Sequence, residues 1–147
     1  MRIHAHTLLR FAVIAVLASL PTALQAADLR DGGIHAVAEV IDGDTFALAD
    51  GREVRLVGIQ SPKLALGRPG FKDWPLATDA RETLATLLAE GEVSLRFGTT
   101  SRDRYGRLLA HVFVGDTWVQ GAMLEAGMAR VYSFEDNRQL VAEMLAV

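Results

Sequence analysis

The chain contains no cysteine. That excludes a disulfide scaffold, a thiolate zinc site, a cysteine nucleophile and a lipid-modified N-terminal cysteine. Proline is scarce, with four residues in the chain, and three of them (Pro62, Pro69 and Pro75) fall in one stretch. An excess of positive charge is also missing. The formal net charge is -3 and the pI is about 5.8, which argues against a broadly basic nucleic-acid binder, so positive charge for such a ligand must be local. Repeats, low-complexity tracts and linkers are absent from the sequence. What is there is a chain of 147 residues, half of them apolar and 22% charged, which is enough for one domain with its own core.

The first 26 residues differ from the rest: they hold Arg2 and Arg10, no acid, and 17 apolar residues. Arg2, His4, His6 and Arg10 make a basic start, residues 11–20 form a weakly polar run of ten, and Pro21 breaks it. The run is well short of the roughly 20 residues that span a bilayer. With Leu24-Gln25-Ala26 before Ala27, the pattern matches an export signal cleaved near Ala27. A buried helix and an uncleaved anchor are the alternatives. Residues 1–26 are therefore expected to be a signal peptide, and the mature protein to be secreted or periplasmic without a membrane anchor. The remaining chain carries 13 basic and 18 acidic side chains, a net charge of -5.

From Ala27 onward, residues 35–41, 45–49 and 53–59 read as three strands. Asp50-Gly51 between the second and third is a hairpin signal, read as a two-residue turn. Residues 60–75 hold Pro62, Gly67, Pro69, Gly70 and Pro75 and read as a long irregular loop, a class usually functional or mobile. Leu76, Ala80, Leu84, Leu87 and Leu88 recur at helical spacing, and Gly91 fits the position past the helix end. A fourth strand at residues 93–97 and a fifth at residues 108–114 enclose a charged loop at residues 101–107. Two more helices follow, at residues 119–126 and from Leu140 to the end of the sequence. This order fits a small Greek-key barrel, because too few helices lie between strands for β-α-β crossovers. The expected fold class is a β-barrel with helices (α+β), a five-stranded OB-type barrel with about three helices. The open face of such barrels commonly binds oligonucleotides or oligosaccharides.

Chemistry is concentrated at two places. Asp42 and Asp44 flank Gly43 at a strand end, and a two-residue turn at Asp50-Gly51 sets Phe46 opposite Arg55, with Asp44 one diagonal from Arg55. A carboxylate beside a guanidinium suits a metal-assisted phosphate site, the acid holding a hard cation and the arginine fork holding phosphate oxygens. An Asp/Gly-rich turn with a surface ion pair is the alternative. Arg102-Asp103-Arg104-Tyr105-Gly106-Arg107 gathers three arginines around one aromatic ring, suited to an anion or a stacked base, or else a solvated hairpin loop. Lys63, Arg68 and Lys72 make the long loop basic. His111 reads as a packed or surface residue rather than a ligand.

Four stretches taken together resemble the staphylococcal-nuclease-like (thermonuclease) family. They are Val40-Ile41-Asp42-Gly43-Asp44-Thr45-Phe46, Val54-Arg55-Leu56-Val57-Gly58-Ile59, Asp103-Arg104-Tyr105-Gly106-Arg107-Leu108-Leu109-Ala110, and Trp118-Val119-Gln120 through Gly127-Met128-Ala129-Arg130-Val131. The resemblance covers roughly residues 33–147. It implies an OB-fold barrel with appended helices and a calcium-dependent phosphodiesterase that cuts DNA and RNA. It further implies that Asp44 ligates calcium, with Thr45 beside the metal and Asp42 as a nearby acid. Arg55 and Arg107 match the two arginines that bind the scissile phosphate and stabilise its transition-state charge, and Arg104 and Tyr105 adjoin that phosphate site.

Two positions depart from the family. Where the pattern runs Asp-Thr-Pro-Glu or close to it, this chain has Gln60-Ser61-Pro62-Lys63. Gln60 stands at a metal-ligand position, where an amide oxygen still ligates calcium but with one negative charge fewer. Lys63 stands at the general-base position. A protonated lysine takes no proton from water, and general-base help is typically worth a factor of about 10² to 10⁴. Lys63 therefore serves there only if burial lowers its pKa, or else adds a third positive group to the phosphate pocket. The resulting expectation is an exported, monomeric, metal-dependent nuclease acting on DNA or RNA, its calcium weakly held and its site partly degenerate. The alternatives are a non-catalytic OB module binding nucleic acid or a phosphorylated ligand through Arg55, Arg107 and Lys63, and a scaffold for a protein partner.

Overall fold

The computed structural model describes residues 29–147. The expected signal peptide at residues 1–26 lies outside the described residues. Eight strands and three helices follow in the order β1 (Arg30–Asp42), β2 (Thr45–Leu48), β3 (Glu53–Leu56), β4 (Ile59–Gln60), α1 (Ala77–Leu87), β5 (Glu92–Arg102), β6 (Leu108–Val114), β7 (Thr117–Trp118), α2 (Val119–Glu125), β8 (Arg130–Val131) and α3 (Val141–Leu145). Strands lie in the order β3-β2-β1-β5-β6, and a parallel β3–β6 pairing closes them into a barrel; every other pairing around it is antiparallel. The OB-type barrel with three helices is thus the observed architecture. No helix among the described residues is long and apolar enough to cross a membrane.

Alternation along the strands fills the barrel. Phe46, Leu48, Val54, Leu56, Val93, Leu95, Leu108, Ala110 and Val112 are buried there, and Ala80, Leu84 and Met123 cover it from α1 and α2. At roughly 1.5–3 kcal/mol for each large apolar side chain withdrawn from water, this core carries the bulk of the stability. Gly43 lets the β1–β2 turn sit under α1: a Cβ there would lie 2.7 Å from the Cβ atoms of both Ala80 and Ser61.

Three details differ from the sequence expectation, and each shapes the site. The hairpin after β2 has a three-residue loop, Ala49-Asp50-Gly51, with Leu48 N–H donating to Arg52 O at 2.8 Å. Gly51, at φ 86°, takes the left-handed position that closes such loops. Thr45, not Phe46, therefore faces Arg55. The third strand breaks after Leu56, because Gly58 adopts φ 84° and redirects the chain, and Ile59–Gln60 leaves to pair with Arg130–Val131. Finally, β5 runs on to Arg102 past Gly98. A Cβ on Gly98 would meet the side-chain oxygens of Gln139 and Asn137 at 2.5 and 2.6 Å, so the lack of one lets the C-terminal segment lie on this strand.

Candidate functional site

The turn between β1 and β2 brings Asp42 and Asp44 together at one end of the barrel. Asp44 is fully buried. Its backbone N–H donates to Asp42 Oδ1 at 3.0 Å, and its carboxylate accepts the Thr45 hydroxyl at 3.2 Å and the Ser61 N–H at 2.8 Å. Lys63 supplies the principal cation: its Nζ lies 2.7 Å from each oxygen of Asp44 and 3.5 Å from Asp42 Oδ2. Arg55 Nη2 stands 3.3 Å from Asp44 Oδ2. Burial by itself would raise the Asp44 carboxyl, but Arg55 and Lys63 outweigh it and hold the group below its ordinary range. Asp42 moves the other way, pushed up by burial and by the neighbouring Asp44 charge.

Arg55 is fixed by main chain. The turn between β3 and β4 points two carbonyls at its guanidinium, Leu56 O accepting from Nη1 and Ile59 O from Nη2 at 2.7 Å. Burial lowers its proton affinity, and the acids of the cluster offset only part of that. The β5–β6 hairpin builds a second, more open corner. Asp103 Oδ1 accepts the N–H groups of Tyr105 and Arg107 at 2.9 and 3.0 Å, and Asp103 Oδ2 accepts Arg107 Nε at 2.7 Å. Tyr105 is exposed, with the guanidinium carbons of Arg104 and Arg107 4.8 and 5.5 Å from its ring centre.

One open groove of about 1070 Å³ joins the two corners. Asp42, Arg55 and Lys63 line it from one corner and Arg104, Tyr105 and Arg107 from the other, with Arg68 from the long loop and Tyr132 and Phe134 from the segment after β8. Tyr132 and Phe134 meet edge to face with ring centres 5.1 Å apart. Asp44 and Thr45 lie beneath the lining, buried. Gln60 lines the groove but its amide oxygen accepts from Arg130 Nη2 at 2.6 Å and Nε at 3.2 Å, because the β4–β8 pairing sets Arg130 directly opposite.

Calcium takes six to eight oxygen ligands. Here both Asp44 oxygens are spanned by the Lys63 ammonium, the Gln60 oxygen is held by Arg130, and among the described residues no three acids or histidines group to hold a metal. As arranged, this donor set does not fit a calcium ion.

Several participants were not singled out from the sequence. Ser61 acts through its backbone N–H, which residue identity does not advertise. Arg130 depends on a two-residue strand pairing at long sequence separation. Asn137, which bonds the backbone of Thr100 in both directions, carries the chain across the groove edge. Asp103, four residues before Arg107 with Gly106 between, had a readable turn signal. His111 is a buried core residue packed beside Trp118 at 5.9 Å between ring centres, and burial brings its pKa down to about 4.

Comparison with known proteins adds to this geometry. The family model described as "Staphylococcal nuclease homologue" matches residues 53–147. A thermonuclease of Staphylococcus intermedius is 31% identical over 120 residues, covering 80% of this chain and 70% of the relative. Endonuclease YncB of Bacillus subtilis (strain 168) is 35% identical over 106 residues, covering 69% of this chain and 49% of the relative. An uncharacterized endonuclease of Escherichia coli is 33% identical over 100 residues, covering 65% of this chain and 59% of the relative.

Proposed function

The chain belongs to the staphylococcal nuclease family, and from that premise we propose that it is an exported phosphodiesterase that binds DNA or RNA in the arginine-lined groove and cuts it slowly. The observation that carries this reading is the convergence of Arg55 and Arg107 on one groove in a chain whose net charge is -3. Charge-assisted hydrogen bonds of the kind a guanidinium makes to phosphate contribute about 1.5–3 kcal/mol each. Donors already fixed in place stabilise developing negative charge without reorganising. Arg55 is held by carbonyls and Arg107 by Asp103, so both meet that condition. Tyr105, Tyr132 and Phe134 offer faces on which bases stack.

The weak half of the reaction is water activation. The carboxylates at the β1–β2 turn, Asp42 and Asp44, both face Lys63, so neither is free to take a proton from water. Slow turnover follows. A second reading, binding without cleavage, is favoured by the Lys63 ammonium seated on Asp44. Export through residues 1–26, with the mature chain starting near Ala27, belongs to the same proposal. N-terminal sequencing of the exported form tests it, and a start at Met1 contradicts it.

The functional test uses end-labelled single-stranded DNA and RNA oligonucleotides with the wild type and Arg107→Ala. Slow cleavage that disappears in the variant supports the phosphodiesterase. Retained affinity without cleavage selects the second reading. Absence of both binding and cleavage rejects a nucleic-acid role.

A further inference from the structure

We propose that Lys63 is the resident cation of this site: its ammonium stands in the position of a metal ion against Asp44 and Asp42, so the groove holds phosphodiesters without a divalent metal. The inference rests on the phosphodiester-binding reading of the groove and specifies the cation that goes with it.

The placement of Lys63 is built, not incidental. Ser61 N–H anchors the chain to Asp44 Oδ2, Pro62 restricts the backbone between, and Trp74 N–H donates to Lys63 O at 2.9 Å, tying the start of the long loop to its end. The four-carbon stem then brings Nζ to 2.7 Å from both oxygens of a carboxylate that has no exposed surface. The lysine side chain is itself 18% exposed and lines the groove, so its charge reaches a ligand there.

Charge balance makes the same point. Asp42 and Asp44 contribute two negative charges, and Lys63 and Arg55 contribute two positive ones, so the cluster is neutral without any ion. A divalent cation added here would be surplus and would have to displace an ammonium hydrogen-bonded to both oxygens of its principal ligand. Lys63→Glu reverses the count. Three carboxylates against one guanidinium leave two uncompensated negative charges, the number that a divalent cation neutralises.

The experiment measures calcium binding by titration calorimetry, and affinity for a fluorescent short DNA oligonucleotide in calcium and in chelator at constant ionic strength. It uses wild type, Lys63→Glu and Lys63→Met. For wild type the expected result is no calcium binding up to about 10 mM, beyond the weak end of the range for oxygen sites. Oligonucleotide affinity is expected to change by less than about threefold between calcium and chelator. Lys63→Glu should gain calcium binding. Should that variant fail to fold, Lys63→Met removes the ammonium without adding charge, and its thermal midpoint should rise with calcium while that of wild type does not. Submillimolar calcium binding by wild type, or a loss of about tenfold or more in oligonucleotide affinity on chelation, overturns the proposal. So does a failure of both variants to respond to calcium. If wild type binds no oligonucleotide under either condition, the reading of the groove fails, while the calcium measurements still decide the role of Lys63.

Discussion

The two corners of the groove pair arginine with aspartate in opposite ways. At the β1–β2 turn, Asp44 is wholly buried and shared among Lys63, Arg55, Thr45 and a backbone N–H. At the β5–β6 hairpin, Asp103 and Arg107 form a pair whose side chains are 16% and 28% exposed, four residues apart, next to an exposed tyrosine. Pairs near water contribute little to stability, whereas breaking a buried pair leaves a charge with no solvent to receive it. The first corner is therefore part of what holds the fold together, and the second is an arm that presents a guanidinium.

The sharpest way to break that contrast is to remove Asp44. Asp44→Ala strands Lys63 and Arg55 together, and the expected loss is about 3–5 kcal/mol of unfolding free energy, read by chemical denaturation. A loss no greater than that of Asp103→Ala would erase the distinction between the corners.

Acid tests the buried side in a second way. His111 sits inside the barrel with its pKa lowered to about 4 from 6.5, so the unfolded chain takes up a proton before the folded one does. Its contribution is fully present above the unfolded value and is lost as pH falls from 6.5 toward about 4, amounting to about 3 kcal/mol at 1.36 kcal/mol per unit. Asp44, held below its ordinary range, adds a further loss as pH falls below the unfolded carboxylate value. Denaturation midpoints measured between pH 7 and 4 should fall for wild type. A variant with His111→Gln should show a shallower fall above the carboxylate range.

The open corner should respond in binding instead. Arg107→Ala is expected to weaken oligonucleotide affinity by about tenfold or more, the loss of one charge-assisted phosphate contact, while costing little stability. Smallest of all, Asp103→Ala should cost about 1–2 kcal/mol in stability, measured by the same denaturation assay, because two backbone N–H groups of the hairpin lose their acceptor along with the ion pair.

The same contrast separates what was legible in the sequence from what was not. Strand alternation and turn residues disclosed the barrel, because a half-buried strand must alternate and a turn needs Gly or Asp. The chemistry of Asp44 and Arg55 could be paired across one hairpin, although Gly51 closed a three-residue loop and shifted the register by one. The role of Lys63 was not legible. Nothing in Ser61-Pro62-Lys63 says that the stem folds back onto a carboxylate 19 residues earlier. Gln60 likewise read as a metal ligand, and only the β4–β8 pairing reveals the arginine that holds its oxygen. Local pattern reports local geometry, and these contacts depend on where distant segments cross.

The central claim is that Arg55 and Arg107, one from each corner, serve one bound nucleic acid. Its most direct test follows the side-chain Nε–Hε signals of Arg55 and Arg107 by NMR while a short 5′-phosphorylated oligonucleotide is titrated in. The account predicts that both signals move and report one dissociation constant. Movement of Arg107 alone, with Arg55 silent behind its carbonyls, would contradict it.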